Sequence, residues 1–510
     1  MLGVGGIASG AGVGWLLSQV LVAVLTGLFH RPPAAATIFW VYLAGTTLVA
    51  LATLAVATVN TMRRGGRSPV AEPLASDTAP RGAVDGVQPA ARGRRRWGWW
   101  TQAAVMAGLA AGRVSRRLGV GAGGIISGRV ILALQPRALS HLATGRQMVL
   151  VSGTNGKTTT SHLLAAALRT VGPVAHNSSG ANMADGAVAA LAAEPVAAAA
   201  VIEVDELHLA AVAPAARPDV IVLLNLSRDQ LDRGSEVRAV AAALADPLAA
   251  NPDTVVVANA DDPMVVWAAR RAARTVWVAA GSRWSADAAS CPDCGATLHH
   301  GDPDGGRWWC DCGLTRPDPQ WTALDTAALA GGEVIPLGLR LPGRFNVGNA
   351  VMAMAAGSLL GLRPPDAAAE MAQLTDVAGR YATFTHGHHR LRLLLAKNPA
   401  GWSETVELLD EPRPLLVVVN AREADGRDTS WLWDVPFERL GPRAVVAAGE
   451  KAADLGVRLT YADIAHLTEA DPLAALAQLP PGPVDVVANY TAFYQLRRRL
   501  VAHERGGPRS

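Results

Sequence analysis

The stretch "MVLVSGTNGKTTTSHLLAAALRTVG", residues 148–172, decides the fold. The apolar run "MVLV" leads through a glycine-bearing loop into the helical pattern "SHLLAAALRTV", which predicts a strand, a tight loop and a helix in immediate succession. That context is what phosphate binding needs. Gly153 and Gly156 let backbone N–H groups turn toward phosphate oxygens, and the helix start adds the positive end of its dipole. Lys157 is placed to reach β- and γ-phosphates, and the Thr158 hydroxyl to hold Mg²⁺. The expected phosphate-binding set is Gly153, Thr154, Asn155, Gly156, Lys157, Thr158 and Thr159. The general spacing G-x-x-x-x-G-K-[ST] is not met, because its first glycine would fall at Val151. The loop is the shorter variant "GTNGKTT".

Downstream, strand-like runs alternate with Ala-rich helical ones: "AAAAVIEVDE", "PDVIVLLNLSRDQLDR", "DTVVVANADDP" and "TVWVAAG". Alternation of this kind predicts an α/β fold with a mostly parallel sheet, which binds ligands at the carboxyl ends of its strands. Acids cluster where the runs end: Glu203, Asp205 and Glu206, then Asp229 and Asp232, then Asp261 and Asp262. A carboxylate beside a phosphate loop can hold Mg²⁺ directly or through water, and Glu203 is the chosen candidate. In "LPGRFNVGNAVMAMAAGSLLGL", Asn346 and Asn349 lie three apart at the start of a helical pattern, hence on one face. Their amides suit an adenine edge or a ribose, or equally the capping of that helix.

The chain has 510 residues, half of them apolar, which bounds it at two to four domains. A formal net charge of +3 gives no general nucleic-acid footprint. Residues 11–29 and 34–61 carry no charge, and each run is long enough to cross ~30 Å of hydrocarbon. Residues 1–62 are therefore expected to form a transmembrane hairpin. Arg63, Arg64 and Arg67 follow it, which keeps both ends cytoplasmic. Residues 63–99 read as a basic flexible linker ending in "RGRRRWGWW". The soluble domains are expected at the inner face of the cytoplasmic membrane.

All four cysteines fall in "CPDCGATLHHGDPDGGRWWCDCG". Cys291 and Cys294 form C-x-x-C, Cys310 and Cys312 form C-x-C, and a glycine follows each pair. Four thiolates in two close pairs make a closed structural Zn²⁺ site, so a zinc ribbon is expected at about 288–318. From about residue 376 the pattern restarts as a smaller α/β domain, with strands in "PLLVVVN", "AVVAAG" and "VDVVANY". On its residues alone, the intervening loop "NAREADGRDTSWLWDVPFE" reads as turn chemistry.

In that order and at that separation, "GTNGKTT", "NADDP" and "GRFNVGNA" resemble the ATP-dependent Mur ligases and their folylpolyglutamate synthetase relatives. With the cysteine ribbon, "HNSSGANMADG", "VIEVDE", "RDQLDR", "LLAKNPAGW" and "ADGRDTSWLWDVPFE", the chain from about residue 100 to 500 resembles the MurT family, the synthetase subunits of lipid II isoglutaminyl synthases. The resemblance implies a Mur ligase central domain over 100–375 and a C-terminal domain over 376–510 that docks a GatD-type glutaminase. It implies ATP and Mg²⁺ as cofactors beside structural zinc. The reaction would amidate the D-glutamate α-carboxylate of lipid II through an acyl phosphate, with ammonia from the partner. An aspartate of the C-terminal loop would complete the partner's catalytic triad. Asp428 matches that position, with Asp425 and Asp434 the nearest alternatives. The N-terminal runs have no counterpart in typical members. An amino-acid-adding ligase, or a non-catalytic membrane-anchored nucleotide-binding scaffold, would be the rival readings.

Overall fold

A computed structural model describes residues 97–117, 123–228, 236–281, 286–301, 307–375, 381–409, 411–423 and 425–506. The expected hairpin at 1–62 lies outside these residues, as do most of the 63–99 linker and both Asp229 and Asp232. A helix already begins at Trp99. Among the described residues no helix is long and apolar enough to cross a membrane.

The first sheet begins with β1 (Gln147–Ser152), β2 (Val174–His176), β3 (Ala199–Glu203), β4 (Val220–Leu223), β5 (Val255–Asn259) and β6 (Arg274–Ala279). A small ribbon, β7 (His299–His300) and β8 (Trp308–Trp309), interrupts it, and β9 (Trp321–Ala323), β10 (Ala327–Ala330) and β11 (Glu333–Pro336) complete it. The spatial order is β11-β10-β9-β6-β5-β4-β1-β3-β2, parallel except for the last meander. Helices cover both faces, which is why the strands are continuous Val and Ile runs rather than alternating ones. β1 shows the division: Met148 and Leu150 enter one core with Leu142 and Leu191, while Val149 and Val151 enter the other with Leu163 and Met354. The loop after β1 continues as the helix Lys157–Leu168, and the much later helix Arg344–Leu359 packs beside it.

The second sheet holds β12 (Tyr381–His386), β13 (His389–Leu395), β14 (Leu415–Val418), β15 (Val445–Ala448), β16 (His466–Thr468) and β17 (Gly482–Ala488), in the order β12-β13-β17-β14-β15-β16. Only the β12–β13 pair is antiparallel. Both sheets belong to one compact unit, Asp85–Ser510. Asp485 is fully buried in β17, directly opposite Arg392 of β13. Arg392 Nε and Nη2 donate to its two oxygens at 2.7 and 2.9 Å, and Nη2 also reaches the Leu408 carbonyl at 2.9 Å.

A carboxylate so placed is tolerable only while that fork is present. Arg392→Met is expected to destabilise the chain by about 3–5 kcal/mol, because it leaves an unpaired buried charge. Arg392→Met combined with Asp485→Leu should recover most of that loss. Urea denaturation of the two variants checks both statements, and equal midpoints for the two would contradict them.

Candidate functional site

β1 and β3 are neighbours whose chains leave in opposite directions, β1 toward β2 and β3 toward β4, so a crevice opens at their carboxyl ends. The parallel register sets Val151 opposite Glu203. One residue past β1 the chain turns at Gly153, with φ of 137°, and again at Gly156, with φ of 83°. A side chain at Gly156 would also strike Asn349, since a Cβ there would lie 2.5 Å from its Oδ1. Glycine is thus required on two grounds.

Thr158 lies in the first turn of the helix and donates from Oγ1 to Glu203 Oε2 at 2.8 Å. Both side chains are buried. Lys157 folds back over its own loop. Its Nζ donates to the Gly153 carbonyl, to the Thr154 carbonyl at 3.3 Å and to Glu206 Oε2 at 2.9 Å. Burial works against its charge, but the carboxylates of Glu206, Glu203 and Asp205 outweigh burial and hold its pKa above the ordinary lysine value.

Not all of the expected donors point outward. The Thr154 N–H bonds the Asn225 carbonyl at 2.9 Å, and the Asn155 N–H bonds Asn225 Oδ1 at 2.9 Å. Those two amides hold the loop's shape. Asn346 and Asn349 do share a face, with Asn349 Nδ2 donating to Asn346 Oδ1 at 3.3 Å and Asn346 Nδ2 to the Pro342 carbonyl at 2.6 Å. Asp262 caps the helix Pro263–Ala269, accepting from the N–H groups of Met264 and Val265. Asp261 is bound by Arg316 at 2.8 Å and by the Gly281 N–H at 2.7 Å. Both of these acids therefore shape the fold.

Gly156, Lys157, Thr158, Glu203, Asn346 and Asn349 line one cleft of about 750 Å³, whose far wall comes from the second sheet's half of the chain. Lys397, Glu404 and Tyr490 are on that wall. Desolvation and the neighbouring Glu407 carboxylate push the Glu404 pKa up to about 8, so it is largely protonated at neutral pH and presents a donor. A direct tie joins the walls: Asn155 Nδ2 donates to Asn398 Oδ1 at 3.0 Å, and Asn398 caps the helix Pro399–Glu407. Sequence reasoning passed over Asn225, Asn398 and Glu404. Asn225 and Asn398 end apolar runs, a signal too common to single them out.

The four cysteine sulfurs converge to within 4.8 Å of one another. Cys291 and Cys312 are 3.6 Å apart, and Cys294 and Cys310 3.5 Å, far beyond a disulfide bond. Sulfurs at about 2.3 Å from a tetrahedral ion stand roughly 3.8 Å apart, so the set fits one. Each knuckle closes on a glycine of positive φ, 80° at Gly295 and 96° at Gly313. Buried Trp308 fixes the ribbon to the sheet by donating from Nε1 to the Ala260 carbonyl at 3.1 Å.

In the C-terminal loop, Asp425 is buried and accepts from the Thr491 N–H at 2.8 Å and from its hydroxyl. Asp434 pairs with Arg228 at 3.3 Å. Asp428 is exposed and accepts from the Ser430 N–H at 2.8 Å, which holds its carboxyl below the usual range.

Residues 151–357 match the Mur ligase middle domain and residues 395–493 the MurT ligase C-terminal domain. A pseudomurein peptide ligase type C from Methanothermus fervidus superposes with a TM-score of 0.56 at 18% identity, over 70% of this chain and 79% of that one. Folylpolyglutamate synthase of Mycobacterium tuberculosis gives a TM-score of 0.53 at 17% identity, over 78% and 99%. The fold is that of the Mur ligases. The chain is 30% identical over 391 residues to subunit MurT of the lipid II isoglutaminyl synthase (glutamine-hydrolyzing) of Staphylococcus aureus, covering 71% of this chain and 88% of that protein. Its identity to the MurT subunit of Streptococcus pneumoniae is 29% over 433 residues, covering 78% and 97%. The chain belongs to the MurT family.

Asn177, in "HNSSGANMADG", supports Glu203 from behind. Its amide accepts from the Glu203 N–H at 2.8 Å and donates to the carbonyls of Glu203 and Ala181 at 2.8 and 2.7 Å. Asn177→Ala leaves these buried groups unpaired, at about 1–3 kcal/mol for each one left unsatisfied. A lowered urea midpoint is the expected result. An unchanged midpoint would show that Glu203 is held by other means.

Proposed function

We propose that this chain is the ATP-dependent synthetase subunit of a lipid II isoglutaminyl synthase, amidating the D-glutamate α-carboxylate of the lipid II stem peptide to D-isoglutamine. The reading rests chiefly on one observation: Lys157, paired with Glu206, and Thr158, bonded to Glu203, come together at the switch point of a Mur ligase fold, in a two-walled cleft. In the reaction, a carboxylate oxygen of the substrate attacks the γ-phosphorus of ATP and ADP leaves. Ammonia then attacks the resulting acyl phosphate, the C–N bond forms, the C–O bond to phosphate breaks, and one proton is lost. Lys157 stabilises the charge that develops on the transferred phosphoryl group. The N–H groups at the helix start, from Gly156 to Thr159, receive phosphate oxygens. Thr158 and Glu203 would hold Mg²⁺, which offsets phosphate charge when bound. Asn346 and Asn349 face the nucleoside.

Ammonia comes from a GatD-type glutaminase docked on residues 376–510. Asp428 completes that partner's triad by orienting its histidine. Its exposure supports this role, whereas Asp425 and Asp434 are engaged within the chain. An N-terminal hairpin over 1–62, supported by the charge-free runs 11–29 and 34–61, would keep the enzyme at the inner membrane face near its lipid-linked substrate.

Two variants test the division of labour in full chain plus glutaminase, ATP, Mg²⁺ and lipid II. Lys157→Ala is expected to abolish amidation with glutamine and with free ammonium alike. Asp428→Asn should lose only the glutamine-driven reaction, on the scale of the about 10⁴-fold seen for this change in serine-protease triads. Undiminished turnover of Lys157→Ala would remove the ligase reading. Loss of the ammonium reaction in Asp428→Asn would move that loop to the synthetase site.

The cysteine cluster is proposed to hold one structural zinc, since a closed thiolate site leaves no position for substrate and contributes folding energy. Cys291→Ser is expected to lose bound zinc and to lower the thermal midpoint. Metal analysis finding no zinc in the native protein would end that assignment.

A further inference from the structure

The helix Trp99–Arg117 is packed inside out. Its buried side carries Thr101, Ala104, Val105, Gly108, Gly112 and Ser115, and it lies against the helix Gly124–Leu134. The two glycines allow a very close crossing: a Cβ at Gly108 would stand 2.4 Å from Ile131, and one at Gly112 2.0 Å from the Ser127 hydroxyl. The opposite side gives solvent the large apolar groups. Trp99 is 76% exposed, Met106 57% and Val114 45%, and Ile125 of the neighbouring helix is 47% exposed. On a helical wheel Trp99, Met106, Ala110 and Val114 fall within an arc of about 80°. A surface helix ordinarily buries such a stripe.

Charge singles out the occupant. The chain contains no Asp or Glu between Asp85 and Asp185. Arg113, Arg116 and Arg117 close the helix, and Arg92, Arg94, Arg95 and Arg96 precede it. The nearest downstream acid, Asp185, is paired with Arg129 at 3.2 Å. In the sequence the helix follows the two charge-free runs, separated from them by the basic stretch that begins at Arg63. Tryptophan with methionine on an apolar stripe, arginines at its end and no acids is the composition of a surface that rests in the headgroup layer of an anionic bilayer.

We propose that the exposed face of Trp99–Arg117, with Ile125 beside it, is a lipid-contact surface that seats the soluble domains on an anionic membrane. It is a second contact beyond the N-terminal hairpin. It draws on the membrane location proposed above, and the two are separable by experiment.

The test uses the full chain in vesicles of equal parts phosphatidylglycerol and phosphatidylethanolamine, with a photoreactive benzophenone amino acid in place of Met106 or Val114. Val196, 77% exposed elsewhere on the surface, serves as the control position. Irradiation is expected to give phospholipid adducts at 106 and 114 several-fold above those at 196. Replacing Arg113 and Arg117 by glutamate should reduce them, as should pure phosphatidylcholine vesicles. Absence of lipid adducts at 106 and 114 would overturn the proposal. So would adducts to protein instead, whether the glutaminase, a second copy or residues 1–96 of the same chain. Carbonate extraction reports on the hairpin separately: a chain that is extracted yet carries lipid adducts at 106 and 114 would remove the hairpin and leave this surface in place.

Discussion

The register between β1 and β3 is the constraint from which the site follows. Val151 opposite Glu203 brings the end of one strand level with the start of the loop that follows the other. The loop needs only four residues, Gly153 to Gly156, to turn back, and Thr158 in the first turn of the helix then meets the Glu203 carboxylate at 2.8 Å. A slip of one residue would send the Glu203 side chain to the other face of the sheet, into the helical core with Leu150 and Ile202. Asn177 opposes that slip by bonding both backbone groups of Glu203. Position therefore comes from main-chain pairing, which is rigid, and chemistry from the side chains that the pairing delivers.

Much of this was legible because parallel strands buried on both faces are written as unbroken Val and Ile runs, and because glycine, lysine and threonine have few reasons to stand together after one. The knuckle cysteines were legible for a similar reason: two short pairs, each ended by glycine, use every cysteine in the chain. What could not be read depends on distant partners. In "HRLRLLL" the arginines look like the outward residues of a surface strand. Arg392 is instead mostly covered, and its partner Asp485 lies 93 residues further on. The three-residue β2 offers too few positions for any period to show. Nor does sequence reveal that Asn155 meets Asn398 across 243 residues, since each asparagine alone satisfies a local turn or cap.

That contact bears on how the two halves work together. Asn155 sits in the loop 153–156, where Asn225 bonds both its N–H and its carbonyl, so it can move little. Asn398 begins the helix that carries Glu404 into the cleft. The loop and the opposite wall are thereby joined through a hydrogen bond and a helix cap rather than through a flexible segment. The wall that carries Glu404 is thus registered against the wall that carries Lys157 and Thr158.

The charges at the floor of the cleft limit what can enter it. Lys157 is the cation of the loop, yet it is already paired with Glu206, and Glu203 and Asp205 stand close enough to raise its pKa. One ammonium faces three carboxylates in a buried setting, where mutual repulsion is weakly screened. A bare polyphosphate would add further negative charge to a floor that is already negative on balance. Admission then requires either that Glu206 release Lys157 or that the phosphates arrive with their own counter-charge. Thr158 and Glu203 offer two hard oxygen ligands at the place where a divalent cation would supply it. On the proposed reading the acids would then be a selectivity element as well as a ligand set, disfavouring the metal-free nucleotide and favouring the neutralised one before any bond is made or broken.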